Sequence, residues 1–491
     1  MTEGPLRFYS AAQVRELDRR AIAAGVSGYA LMQRAAAAAF AALTRRWPKA
    51  RRMTVFCGPG NNGGDGYEIA RLARASGWTV DAWQVGGSAK SGEAATARKA
   101  WSRDGGKTRV YRAQKVATTD VVVDAIFGTG LSRAPEGDAV RAIAQINALK
   151  AGGAGVLAAD VPSGVDADRG TAPGVAVVAD ATVSFIGRKI GLYTARGPEF
   201  AGTLTFDGLQ VPESAHRTVD AVAEGITPAT LRRLLPPRPR SAHKGKFGHV
   251  LLVGGNRSMA GAILLAARAA LRAGAGLASV ATRAEHAVAV TAAQPEVMSH
   301  AIEDARQLRP LFERATVVGV GPGLGRDEWG RAMWSQALAS PHPMVVDADG
   351  LNWLAENPEK RDNWVLTPHP GEAARLLGCK SADVQADRVS AARELRARYG
   401  GTVVLKGAGT LVQGDALSLC PHGNPGMAAG GMGDVLCGLI AGLLAQGLTP
   451  EEAAQAGTLA HALAGDRAAA AGERGLVPSD LLGELRALLN P

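Results

Sequence analysis

Three short apolar runs constrain this chain more than any other feature. Met53-Thr54-Val55-Phe56-Cys57, Val121-Val122-Val123-Asp124-Ala125-Ile126 and Val156-Leu157-Ala158-Ala159-Asp160-Val161 read as strands covered on both faces. Helical patterns, such as residues 66–76 and 139–149, lie between them. This alternation predicts an α/β fold with a parallel, doubly wound sheet. It fails between Pro212 and Arg240, where Leu234-Leu235-Pro236-Pro237-Arg238-Pro239-Arg240 continues neither a helix nor a central strand. It restarts at His249-Val250-Leu251-Leu252-Val253-Gly254-Gly255 and runs to about Leu489. With 491 residues the chain exceeds one ordinary core. Two domains are expected, residues 1–215 and 241–491, joined by a linker at 216–240.

Composition narrows the function classes. The chain is 46% hydrophobic and 20% charged, with no apolar run long enough to cross a bilayer. The opening Met1-Thr2-Glu3-Gly4-Pro5 has no basic segment leading into an apolar one, so a secretory signal is not expected. Cys57, Cys379, Cys420 and Cys437 show no paired spacing, which argues against a disulfide frame or a zinc site and fits a cytoplasmic location. The net charge of +10 raises nucleic acid as a partner, but the basic residues are dispersed and aromatics make up only 5%. Sites for phosphate-bearing small molecules account for the charge better.

The second half ends in a loop suited to anions. Asn424-Pro425-Gly426-Met427-Ala428-Ala429-Gly430-Gly431-Met432-Gly433-Asp434 feeds a helical segment beginning near Val435. A glycine turn entering a helix start aims backbone N–H groups at one point. Asp434 then stands where a base would meet a hydroxyl facing a nucleotide phosphate. The bland alternative is a flexible loop whose Asp caps a helix. Thr402-Val403-Val404-Leu405 running into Lys406-Gly407-Ala408-Gly409-Thr410 supplies a second strand and small-residue turn.

In the first half, Gly58-Pro59-Gly60-Asn61-Asn62-Gly63-Gly64-Asp65-Gly66 follows a strand but departs from the glycine spacing of dinucleotide fingerprints. Asn62, Asp124 and Ser163 sit at three strand ends. Neutral oxygens with one carboxylate suit a monovalent cation better than zinc. Taken singly, each is equally a cap or turn residue.

These segments resemble the bifunctional NAD(P)H-hydrate repair enzymes, in which an N-terminal epimerase is fused to a C-terminal dehydratase. GNNGGDG, DAIFGTG and DVPSGVD are similar to the epimerase half. His243-Lys244-Gly245-Lys246-Phe247-Gly248, Gly321-Pro322-Gly323-Leu324-Gly325, Thr367-Pro368-His369-Pro370-Gly371-Glu372 and the Asn424–Asp434 loop are similar to the dehydratase half. The resemblance implies a Rossmann-like three-layer αβα sandwich followed by a ribokinase-like α/β domain. The implied substrates, NADHX and NADPHX, carry water added at C6 of the nicotinamide ring, in R and S forms.

By resemblance, Asn61, Asn62, Gly63, Gly64, Asp65, Gly128, Thr129, Gly130, Leu131, Ser132, Arg133, Ala134 and Asp160 line the epimerase pocket. Asn62, Asp124 and Ser163 become K+ ligands. Asp160 becomes a catalytic carboxylate, joined by Lys189, which otherwise reads as a solvated surface lysine. In the dehydratase half, Lys406, Gly407, Ala408, Gly409, Thr410 and Gly433 are implied to hold ADP or ATP with Mg2+. Ala262, Gly323, His369 and Asp434 are implied to contact the hydrate, with Asp434 as base and His369 alternatively a turn cap. The family loop is expected to carry Thr where this chain has Ala428 and Met432, which bears on phosphate geometry. A homo-oligomer is expected.

Two other readings compete. An ordinary small-molecule kinase would share the second half's fold but has no need of the first half's three motifs. A first half kept only as an interaction module would be expected to lose some of Asn62, Asp65, Asp124, Asp160 and Ser163, all of which are present.

Overall fold

The computed structural model describes residues 6–131 and 133–491. The first five residues and Ser132, expected in the substrate pocket, lie outside the described residues. The chain forms two compact units, one of Arg7–Ala223 and one of Glu224–Pro491 together with Leu6, whose carbonyl accepts from the Gly225 N–H at 2.7 Å. The stretch 216–240, expected as a linker, is instead built into structure. Ala223–Gly225 is a strand that pairs parallel with Leu417–Cys420, and Pro228–Leu234 is a helix whose Leu231 joins the core of the second unit. The proline run that suggested a linker begins only at Pro236, after that helix.

The first unit carries a wholly parallel seven-stranded sheet. In spatial order its strands are Thr108–Val110, Thr79–Gln84, Arg52–Cys57, Val121–Ala125, Gly155–Ala159, Ala181–Phe185 and Thr203–Asp207. Separate apolar clusters form on the two sides of this sheet, so the strands read as continuous apolar runs because both faces are covered. Strand order reverses between Arg52–Cys57 and Val121–Ala125. Such a switch point opens a crevice at the strand C-termini, and the first two glycine motifs flank it.

The helix after Arg52–Cys57 corrects a reading from sequence. It spans Asn61–Ala75 rather than starting at Gly66, so most of the GNNGGDG motif is helical. Glycine is a poor helix former, but close approach requires it here. A Cβ on Gly63 would lie 1.9 Å from the Gly58 carbonyl oxygen, and one on Gly66 would lie 2.7 Å from the Ala125 Cβ. Tertiary packing overrides local propensity.

In the second unit the strands run Met298–Ala301, Leu277–Thr282, His249–Val253, Val317–Val320, Met344–Val346, Trp364–Leu366 and Thr402–Leu405, all parallel. Thr410–Gln413 and Leu417–Cys420 extend this sheet antiparallel. Helices Ala260–Ala273 and Met432–Ala445 cross at very close range. A Cβ on Gly438 would sit 1.9 Å from the Ala266 carbonyl oxygen. No helix among the described residues is long and apolar enough to cross a membrane.

Candidate active sites

At the switch point of the first unit lies a cavity of about 430 Å³, within the size range of small-molecule pockets. Its wall includes Asn61, Asn62, Asp65, Gly128, Thr129, Gly130, Asp160 and Lys189, all expected there. Gly63, Gly64, Leu131, Arg133 and Ala134 are not on that wall. Gly63 abuts the Gly58 backbone, and Gly64 faces the Met32 side chain and the Ala94 Cα, so both serve packing. Arg133 is exposed, and Ala134 lies beside Gly174.

Asp160 follows the strand Gly155–Ala159 with a left-handed φ of 68°. A non-glycine residue pays a steric penalty there, and such outliers gather at functional sites. Its N–H donates to Val183 O at 2.8 Å, which fixes the turn. One carboxylate oxygen accepts from the Lys189 ammonium, which also donates to Phe185 O at 2.7 Å. Lys189 is 1% exposed, so it is a buried ion-pair partner and not a solvated lysine. Burial, then the charges of Asp160 and Asp18, push Asp65 well above the usual carboxylate range.

Asp124 and Ser163 lie against each other. The Ser163 hydroxyl donates to Asp124 Oδ1 at 2.6 Å, and the Ser163 N–H donates to Oδ2 at 2.7 Å. Burial lifts Asp124 to about 6 against these opposing hydrogen bonds. Asn62 is 9% exposed, yet neither its amide nitrogen nor its oxygen has a hydrogen-bond partner. A buried, unpaired amide is costly and calls for a ligand. Ser163 reaches Phe127, and Gly128 stands beside both Asn62 and Asp160, so the three strand ends converge.

The second unit gathers its charged groups around Lys406. Its ammonium lies 2.7 Å from Asp347 Oδ1 and 3.8 Å from Glu372 Oε2. Asp347 is almost wholly buried and also accepts from Thr367 Oγ1 at 2.8 Å. A Cβ on Gly433 would come 3.2 Å from the Lys406 nitrogen and 3.3 Å from an Asp347 oxygen, so a side chain there would crowd the ion pair. Asp434, the next residue, is held up near 7 by burial and then by Asp347, with Lys406 opposing. Burial likewise lifts Glu372 to about 7. Asp434 lies in the first turn of Met432–Ala445, entered through Gly431 at φ 93°.

Asp347 and Glu372 were not singled out as site residues from sequence, although Met344-Val345-Val346-Asp347 is an apolar strand ending in a carboxylate, just as at Asp124 and Asp160. Arg388 was missed as well. Buried, it donates to the carbonyls of Leu405 and Lys406 and props the turn bearing Gly407. Thr410 closes that turn by donating to Gly407 O at 3.0 Å, while Ala408 is exposed and Gly409 is left-handed at φ 60°. Gly323 and Ala262 are neighbours, since a Cβ on Gly323 would meet the Ala262 Cβ at 3.2 Å. His369 caps the helix Pro370–Leu377, with Nδ1 accepting from the Gly371 N–H at 3.0 Å, and its ring stays more than half exposed. It therefore acts as the cap and still presents an edge to the cluster. Met432 is buried in the core, so its bulk points away from the glycine turn, while Ala428 is exposed.

Residues 250–486 match the family described as NAD(P)H-hydrate dehydratase, and residues 28–191 match the YjeF-related protein N-terminus. The chain is 47% identical over 488 residues to a bifunctional NAD(P)H-hydrate repair enzyme of Coxiella burnetii, covering 99% of each. It is 43% identical to the Escherichia coli enzyme of that name, covering 99% of this chain and 95% of the other. A ribokinase-like superfamily protein of Enterococcus faecalis superposes with a TM-score of 0.51 at 30% identity, over 54% of this chain and 94% of that one. Seven ordered motifs, two domain matches and near full-length identity agree, and the chain belongs to the bifunctional NAD(P)H-hydrate repair enzymes, an epimerase and a dehydratase in one polypeptide.

Proposed function

We propose that Asp434 is the base of the dehydratase and that the Asp160–Lys189 pair runs the epimerisation. The observation that carries the first role is the Asp347–Lys406–Glu372–Asp434 cluster at a glycine-fed helix N-terminus. Hydroxide is a poor leaving group from C6. Asp434 takes the proton from the C6 hydroxyl as that oxygen attacks the terminal phosphoryl group of ADP or ATP, whose bridging P–O bond breaks to release AMP or ADP. The loop N–H groups and helix N-terminus stabilise the transferred charge. The ring nitrogen lone pair then expels phosphate from C6, and loss of the C5 proton to the departing phosphate or water re-forms the C5=C6 double bond as the electrons return to N1. Lys406, Gly407, Ala408, Gly409, Thr410 and Gly433 form the nucleotide cradle, while Ala262, Gly323 and His369 border the hydrate. Mg2+ would accompany the nucleotide and neutralise its phosphate charge, since Asp347 and Glu372 already face the Lys406 ammonium.

In the first half, inversion at C6 requires loss and return of water through a cation stabilised by the ring nitrogen. Asp160, held by Lys189, moves the proton and faces that cation. Asn61, Asn62, Asp65 and Gly128, Thr129 and Gly130 shape the pocket. K+ fits Asn62, Asp124 and Ser163, because the unpaired Asn62 amide oxygen needs a partner and the set is all oxygen. Bound there, the ion would tie the three strand-end loops together. We expect a cytoplasmic homo-oligomer, whose assembly light scattering reads directly.

The test is a mixed R/S hydrate supplied with Mg2+ and either ADP or ATP, followed by the absorbance of the reduced nicotinamide. Wild-type protein should restore all of it. Asp434→Asn should restore none, and Asp160→Asn should restore the S fraction at full speed and the R fraction only at the spontaneous rate. Fast recovery of R by Asp160→Asn would remove Asp160 from the mechanism.

A further inference from the structure

The epimerase cavity holds an acid that the scheme above leaves idle. Asp18 lines it together with Asp160 and Lys189, but it comes from the helix Ala11–Ala23 and from no strand-end motif. That helix is firmly placed. Ser10 and Gln13 form a capping box, the Ala11 N–H donates to Asp168 Oδ1 at 2.6 Å, and Arg15 donates to Thr129 O at 2.9 Å. On the far side, Val14 and Leu17 pack within 3.1 Å of where a Cβ on Gly187 would stand. Asp160 enters the cavity from the sheet, and Asp18 enters from this helix.

An ordinary helix-surface Asp is solvated or bridged by a cation. Asp18 is neither fully solvated nor hydrogen-bonded, and it makes no ion pair among the described residues. Its helix neighbours Arg15, Arg19 and Arg20 are engaged with Thr129 and Glu16. Burial and then Glu93 hold its carboxyl above the usual range, with Lys189 opposing and Asp160 adding to the rise. The amide nitrogen of Asn62, which a cation on the amide oxygen would leave unsatisfied, is buried and unpaired on the same cavity wall. The cavity is thus equipped for a polar ligand that the motif residues alone do not satisfy.

We propose that Asp18 is the second acid–base group of the epimerase, serving the face of the hydrate ring that Asp160 does not reach. The proposal rests on the reading of Asp160 given above. A ring held in one pose presents its two faces to different walls, and inversion needs water to leave by one and arrive by the other. One carboxyl gives its proton to the C6 hydroxyl. The C6–O bond breaks with both electrons on oxygen, water departs, and the N1 lone pair closes an N1=C6 double bond. On the opposite face the second carboxylate takes a proton from water as that oxygen bonds to C6, and the π electrons return to N1. One C–O bond breaks and one forms with no change of oxidation state. One proton passes from the first carboxyl to the second, which readies the pair for the opposite epimer until solvent exchange resets it.

The experiment uses the full chain, purified R and S hydrates in separate runs and no nucleotide, so that the dehydratase is silent. Chromatography follows R-to-S conversion in oxygen-18 water, with the spontaneous rate subtracted. Asp18→Asn should lower kcat by about 10²–10⁴-fold with little change in KM, and Asp18→Glu should recover much of the loss. In Asp18→Asn, oxygen-18 should still enter one epimer without inversion, because Asp160 continues to work its own face. Loss of folding would not leave that signature. The proposal is overturned if Asp18→Asn inverts C6 at close to the wild-type rate, or if only KM rises. It is equally overturned if exchange and inversion fall together without rescue by Glu, or if Asp65→Asn shows exchange without inversion and Asp18→Asn does not. Should Asp18→Asn fail to accumulate as folded protein, Asp18→Glu decides, since a moved carboxyl must shift the limb of the pH profile set by the acid. Dehydration of S hydrate with nucleotide should match wild type in both Asp18 variants. Asp160→Asn run alongside separates the two readings, because its retaining fast inversion sinks the Asp160 role itself.

Discussion

Asp434 illustrates how a residue's chemistry depends on neighbours far away in sequence. The loop that delivers it was legible, because glycines before a helix start leave few other uses for an acid. Its charge state was not, because Asp347 and Lys406 lie 87 and 28 residues upstream and meet it only in the fold. A base must be deprotonated, so a carboxyl held near 7 predicts that dehydratase kcat/KM falls as pH drops through about 7. The two neighbours then make opposite predictions. Asp347→Asn removes a like charge and should move that acid limb to lower pH. Lys406→Met removes the opposing cation and should move it to higher pH. Limbs that stay put in both variants would show that another group sets the profile. Asp18 was not legible at all, since an acid on a charged amphipathic helix carries no mark until the helix is seen against the cavity.

At the level of elements, sequence located strands better than helix starts. Apolar runs of five or six residues bounded by turns declare buried strands, whereas the longer apolar run Val435–Leu444 is a buried helix. Glycine-rich starts hide helices, as at Asn61–Ala75 and at Met432–Ala445, which begins three residues before the expected Val435. The glycines there are required by packing, and Gly438 makes the point testable. Helix Met432–Ala445 carries Asp434 on its first turn and lies so close to Ala260–Ala273 that Gly438→Ala must push the helices apart. Overpacking of this kind costs about 1–3 kcal/mol, and more where backbone blocks the way. Thermal melting should show the loss. Recovery of S hydrate should fall with it, while nucleotide-free R-to-S conversion stays at the wild-type rate. Gly433→Ala should separate the two effects, because its Cβ would intrude on Lys406 and Asp347 within the site. That variant should lose dehydratase turnover with little change in melting temperature.

For the whole molecule, the division into two halves was readable from the break in strand–helix alternation, but its position was not. Prolines drew attention to 234–240, whereas the chain changes units at Ala223/Glu224, because a three-residue strand and a seven-residue helix are too short to show periodicity. The difference decides what a truncation does. A fragment beginning at Ser241 would lose Ala223–Gly225, one of the two strand partners of Leu417–Cys420, and the Leu231 side chain from the core. It should be markedly less stable than a fragment beginning at Ala223. The longer fragment keeps an apolar core drawn from its own residues and should fold alone as a domain of ordinary size. Given nucleotide and Mg2+, it should dehydrate S hydrate at the full-length rate and leave R hydrate to the spontaneous reaction. Adding back an Asp434→Asn full-length chain, whose epimerase half is intact, should restore use of R hydrate in proportion to its concentration, since the intermediate then passes through bulk water. A rate from the mixture that equals the intact enzyme's, whatever the concentration, would mean that the two activities need no shared chain. A rate far below it, even when the epimerase is in excess, would mean that the covalent connection itself hastens transfer of the S epimer.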